Sequence, residues 1–230
     1  MKTVGIIGGF GPEATAEFYL EIVFGCYQKT KKNRPPVLIW NVPLEYKIEE
    51  DLITKATGEE RYIPYLIDAA KILEKAGADF LVMPCNSLHI FIENIRGVVK
   101  IPVLNITEET AKFLKERKIS KVGILATATT INQKLYKGVF KNENIEQFLP
   151  AVFDQAKIGK IINNVVLNKH DNKDKKELLK IIDKFDKNDV KDIILACTDL
   201  QLLKPKHIKI KIYDTMKILA DAAIREILKK

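Results

Sequence analysis

Two cysteines stand where short apolar runs stop. Cys85 follows Phe80-Leu81-Val82-Met83-Pro84 and opens Cys85-Asn86-Ser87-Leu88-His89. Cys197 follows Ile193-Ile194-Leu195-Ala196 and opens Cys197-Thr198-Asp199-Leu200. Each run has the length and composition of a buried strand, and each thiol is followed by an amide or hydroxyl side chain. In an open α/β sheet, ligands bind beyond the carboxyl ends of the strands. Both thiols therefore stand where a substrate would. A helix starting after each strand would favour a thiolate through its free N–H groups and dipole. Two such thiols across a cleft suit removal of a proton from one face of a carbon and return of a proton to the other, with one sulfur ionised and the other not.

Other readings of the same residues remain open at this level. His89 lies four positions after Cys85, so the two could ligate zinc with Cys197, although a structural zinc site needs four ligands and the chain has three histidines. Cys85 could be a lone nucleophile with His89 as its base. Gly9-Phe10-Gly11-Pro12-Glu13-Ala14 fits the dinucleotide pattern G-x-G-x-x-A. The ribose-binding acid that this pattern expects at the end of the next strand is missing, because Asn41 stands there. A small anion approaching helix amides would explain the glycines as well.

The elements that must carry these residues repeat. Thr3-Val4-Gly5-Ile6-Ile7 opens the first half and Lys121-Val122-Gly123-Ile124-Leu125 the second, and Cys85 and Cys197 are 112 positions apart. Helical patterns alternate with near-continuous apolar runs at 37–40, 101–105, 145–149 and 208–213, which is the signature of parallel sheets covered on both faces. The spacing predicts helices over 12–26, 62–76, 108–118, 132–138, 156–167, 175–185 and 215–229. Residues 44–58 read as a loop with a short helix that could act as a lid. The expected fold is two pseudo-symmetric parallel-sheet α/β domains with the active site in the cleft between them. The first comprises residues 1–105 with 208–230, and the second residues 106–207.

At 230 residues the chain can bury a large core. No run approaches the ~18 apolar residues of a membrane span. The opening residues go straight into a strand with no cleavable signal pattern, so a cytoplasmic location is expected. Three cysteines do not make a disulfide framework. The net charge of +8 is spread over many lysines. The cluster Lys29–Arg34 has no interleaved aromatics and no nucleic-acid motif accompanies it, so a solvated basic surface is expected rather than a nucleic-acid partner.

Gly8-Gly9-Phe10-Gly11-Pro12-Glu13-Ala14-Thr15, Ala76-Gly77-Ala78-Asp79-Phe80 through Pro84-Cys85-Asn86, and Ala196-Cys197-Thr198-Asp199 together resemble the cofactor-independent aspartate/glutamate racemases. The likeness covers nearly the whole chain and is strongest to the archaeal aspartate racemases. It implies an isomerase acting on an amino acid, aspartate first and glutamate second. Cys85 and Cys197 would be the catalytic pair. The implied substrate-binding residues are Gly9, Phe10, Asn86, Ser87, Thr127, Thr130 and Thr198. It also implies a homodimer with no pyridoxal phosphate and no metal. Where the family holds a side-chain carboxylate with an arginine, Val42–Ile48 has none, so Lys47 takes that part, and Lys169 stands for a family lysine. Other chemistries of the superfamily share such a cleft, namely hydantoin racemisation, maleate isomerisation and malonate decarboxylation. A non-catalytic binding protein on the same fold is the reading from another class.

Overall fold

The computed structural model describes residues 1–55 and 57–229; Ala56 and Lys230, which fall within the ranges 44–58 and 208–230 above, lie outside the described residues. The first half runs β1 (Val4–Gly8), α1 (Pro12–Thr30), β2 (Val37–Asn41), α2 (Tyr46–Lys55), α3 (Ile63–Lys75), β3 (Phe80–Val82) and α4 (Ile92–Arg96). Then α5 (Ile106–Glu116) leads into β4 (Lys121–Ala126), α6 (Ala128–Asn132), α7 (Lys137–Asn142), β5 (Glu146–Phe148), α8 (Val152–Val166), α9 (Asn172–Asp186), β6 (Asp192–Ala196), β7 (Lys211–Asp214) and α10 (Thr215–Leu228). Short 3-10 turns occupy Glu59–Tyr62, Ser87–Phe91 and Leu200–Leu203. None of the described helices is long and apolar enough to cross a membrane.

Two parallel sheets result, ordered β2-β1-β3 and β5-β4-β6-β7. In both, the opening strand of the half lies between the second and third. Every residue of β1 and β3 is buried, as strands covered by helices on both faces must be. Ile7 and Leu81 point into a core with α3 and α4, whereas Val4, Ile6, Phe80 and Val82 point into one with α1 and α10. Helix α5 joins the halves physically, placing Ile106 in a core of the first sheet and Ala111 and Leu114 in a core of the second.

The structure differs from expectation at several places. The helix expected over 132–138 is instead a turn at 133–136 between the end of α6 at Asn132 and the start of α7 at Lys137. Ile101–Asn105 is not a strand: only Val103 bridges Leu81, because Pro102 offers a carbonyl to Leu81 but has no N–H of its own to extend the ladder. Lys211–Asp214, assigned above to the first half, is instead the edge strand of the second sheet, paired from Asp192↔Lys211 to Leu195↔Asp214. Of that C-terminal segment, helix α10 is the part that packs on the first half, against α1.

Candidate active site

The carboxyl ends of β3 and β6 open into one cleft lined by Cys85 and Cys197. Cys85 keeps some exposure and Cys197 is buried. Neither thiol opens a regular α-helix; each is followed by a 3-10 turn. The tighter turns still aim amides at the sulfurs, and they do so alike in the two halves. Ser87 and Leu88 N–H face Cys85, and Asp199 and Leu200 N–H face Cys197. These amides favour a thiolate, but removal from water and nearby carboxylates outweigh them. Burial, with the charges of Asp199 and Glu49, pushes the Cys85 thiol up to about 12. Burial and Asp199 push Cys197 well up too. The thiolate-favouring environment expected from helix ends is therefore overridden by burial and by these carboxylates.

One wall carries hydroxyls. Thr127 caps α6, accepting from the Thr130 amide at 3.2 Å. Its Oγ1 lies 2.8 Å from Ser87 Oγ, and Thr130 Oγ1 lies 3.2 Å from Ser87 Oγ. Thr129 also lines the cleft; its Oγ1 is buried without a hydrogen-bond partner. A buried hydroxyl with no partner costs free energy unless a ligand completes it. Thr198, next after Cys197, also lines the cleft.

Two carboxylates, of Glu49 and Asp199, also line the cleft. Asp199 Oδ2 accepts from Cys197 Sγ at 3.5 Å. A side chain on Gly11, where φ is 84°, would place its Cβ 2.9 Å from Asp199 Oδ1, so the glycine loop and this carboxylate fit only without one. Burial, then the charges of Glu49 and Glu13, raise Asp199 to about 6. Glu49, in the first turn of α2, faces the Gly11 amide and is raised by burial and by Glu13. Phe10, Leu52, Tyr62, Ile162 and Val166 complete an apolar lining.

Several residues expected at the site are elsewhere or differently engaged. Phe10, Ser87, Thr127 and Thr198 line the cleft. Thr130 is buried behind it and supports Ser87 and Thr127. Gly9 shapes the loop, donating its N–H to Thr15 Oγ1 at 3.1 Å, and is not among the lining residues. Asn86 reaches the cleft, but its amide is committed to the interior: Oδ1 accepts from Tyr136 Oη, and Nδ2 donates to Thr215 Oγ1 at 3.0 Å. Lys47 is 62% exposed, pairs with Asp51 at 3.3 Å and does not line the cleft. Lys169 is exposed beyond the end of α8. His89 is neither a base for Cys85 nor paired with its thiol. Its Nδ1 lies 2.7 Å from the Cys85 carbonyl, the ring is 2% exposed, and burial lowers it to about 4. Among the described residues no group of three or more His, Cys, Asp or Glu side chains could hold a metal ion.

Glu49 and Thr129 were not singled out by sequence reasoning. Ile48 and Leu52, four apart, mark the inward face of α2 and bring Glu49 with it, which was a signal available in the sequence.

The sequence model described as Asp/Glu/hydantoin racemase matches residues 7–223. The chain is 28% identical over 231 residues to the broad specificity amino-acid racemase RacX of Bacillus subtilis, covering 96% of both proteins. Among solved structures it is similar to Picrophilus torridus aspartate racemase (26% identity, TM-score 0.82, covering 100% of this chain and 96% of that one). It is also similar to an aspartate racemase homologue from Pyrococcus horikoshii (25% identity, TM-score 0.80, all of both chains). Those matches span the two sheets and the cleft between β3 and β6: the chain belongs to the Asp/Glu/hydantoin racemase family, whose chemistry is isomerisation.

Proposed function

We propose that this protein racemises an amino acid by two-base proton transfer, with Cys85 and Cys197 as the bases and no added cofactor. One sulfur, as thiolate, takes the Cα proton and becomes a thiol. The opposite sulfur, as thiol, gives its proton to the other face of the carbon and becomes the thiolate. Atoms and charge balance over the step, and the reverse reaction exchanges the two roles. The observation that carries this reading is that two strand-end thiols, each faced by the amides two and three residues on, line one cleft. Ser87, Thr127, Thr129 and Thr198 supply hydroxyls for the α-carboxylate, whose negative charge grows as the carbanion forms.

The raised thiols fit this scheme once a substrate is present. An α-ammonium group between the sulfurs and Asp199 places positive charge beside them and favours one thiolate. Aspartate, which the resemblance favours, and glutamate would each bring a second carboxylate. Among the described residues no lysine or arginine lines the cleft to meet it.

The test is chiral analysis of purified protein with L- and D-amino acids, after exhaustive chelation and without pyridoxal phosphate. Racemisation with solvent deuterium entering Cα is the expected result. Activity lost to the chelator and restored by zinc would overturn the cofactor-free reading.

A further inference from the structure

The reaction written above uses one carboxylate, and the cleft has two. An amino acid needs one acceptor for its α-ammonium, and Asp199 stands beside Cys197, with Oδ2 3.5 Å from its sulfur. Glu49 is left over. It projects from α2 among Phe10, Leu52 and Tyr62, so that an apolar sleeve contains a carboxylate. The Gly11 amide faces Glu49 and leaves the carboxylate further acceptor sites. Glu13, in the first turn of α1, lies close enough for its charge to act on both Glu49 and Asp199. The lining hydroxyls of Ser87, Thr127, Thr129 and Thr198 carry no charge. With Glu49, Asp199 and one thiolate ionised, aspartate would add negative charge to a negative cleft, alanine would add none, and a basic amino acid would offset part of it.

We propose that the site takes amino acids with a positively charged side chain, of the lysine, ornithine and arginine class, and that Glu49 holds the distal cation while the alkyl stem lies along Phe10, Leu52 and Tyr62. This rests on the racemase reading and departs from the acidic substrate implied by resemblance. A long basic side chain suits such a sleeve because its methylenes cover apolar surface while its end keeps a polar partner. The cleft holds about 550 Å³ of empty space, its open mouth included.

The experiment measures kcat/KM for L-lysine, L-ornithine, L-alanine and L-aspartate by chiral analysis, in the wild type and in Glu49→Gln and Glu49→Asp. Wild type should favour lysine over aspartate by about a hundredfold, and Glu49→Gln should lower the lysine-to-alanine ratio about tenfold, the loss expected for one partly buried charged contact. Glu49→Asp should recover part of that ratio. Because each ratio is taken within one variant, a partly unfolded preparation does not alter it. Aspartate turned over as well as lysine would overturn the charge proposal and leave the racemase reading standing. An unchanged ratio in Glu49→Gln would overturn the role of Glu49. The second arm measures binding of lysine and aspartate to Cys85→Ser by calorimetry. Lysine bound in preference to aspartate, with no amino acid racemised or exchanged by the wild type, would end the racemase reading while upholding the charge of the cleft.

Discussion

Ser87 Oγ of the first half lies 2.8 Å from Thr127 Oγ1 of the second. The two halves of the chain thus meet at the cleft through hydroxyls that can turn their protons toward an incoming carboxylate. This contact concerns the part common to all amino acids. Ser87→Ala should raise KM about tenfold for every substrate, whatever its side chain, as expected for one lost hydrogen bond to a charged group. KM values across a substrate series measure this. A rise confined to one side-chain class would move Ser87 from the α-carboxylate to the side-chain end.

The thiol pair makes a sharper demand. Cys85→Ser and Cys197→Ser should each lower racemisation by about a thousandfold or more, because an alcohol is a far weaker base than a thiolate near neutral pH. Either variant still holds a sulfur on one face of Cα. Each should therefore exchange the α-hydrogen of one enantiomer with deuterated solvent while failing to invert it. Mass spectrometry of both enantiomers reads this, and near wild-type racemisation in either variant contradicts the two-sulfur scheme.

The pH dependence follows from the same groups. Burial pushes Cys85 up to about 12, so its thiolate is a small fraction at neutral pH. That fraction grows about tenfold per unit while pH stays below the thiol pKa, and kcat/KM should climb accordingly from pH 7 to 9. Asp199, at about 6, adds a limb on the acid side, where its protonation removes the acceptor for the α-ammonium. A flat profile between pH 7 and 9 would mean that the base is already ionised at pH 7, against a thiol raised by burial.

His89 bears on stability rather than on the reaction. Burial lowers it to about 4 from 6.5, so in this range the unfolded chain binds the proton more readily. A group with a depressed folded pKa contributes stability above its unfolded value and loses it as pH falls through the folded one. The loss between pH 6.5 and 4 amounts to about 3 kcal/mol for a fully neutral buried ring. Asp199 and Asp214, raised to about 6 and about 7, work in the opposite sense as they gain protons. The comparison that isolates His89 is urea unfolding of wild type and His89→Gln at pH 7 and pH 4.5. On acidification from pH 7 to 4.5 the variant should keep about 3 kcal/mol more of its stability than the wild type keeps.

Parallel sheets were legible because their strands are short, apolar on both faces and interrupted by helical periodicity, as in Val4–Gly8 and Asp192–Ala196. The partner of Lys211–Asp214 was not legible, because a strand pattern carries burial and not the identity of its neighbour. The thiols could be located from the strand ends, whereas their ionisation could not. Local sequence shows the turn that follows a cysteine and, for Cys197, Asp199 two residues on, but the carboxylates that oppose the charge of Cys85 arrive from α2 and from the other half. Lys47 looked like a site residue by position along the chain. It lies two residues before Glu49 on one helix, and a helix turns its residues to different faces at that spacing, so Glu49 enters the cleft and Lys47 meets Asp51 at 3.3 Å.

Helix α10 buries Met216, Leu219, Ala220, Ala223, Ile224 and Ile227 in one core with Val4, Ile6 and Phe18. Its approach to α1 is so close that a Cβ on Gly25 would stand 2.3 Å from Ile224 Cδ1. On the ribosome, the strands of the first sheet are therefore made long before the helix that covers one of their faces. The nascent first half carries an uncovered apolar surface until residues 215–228 have left the exit tunnel, so its closure waits for the whole second half to be made.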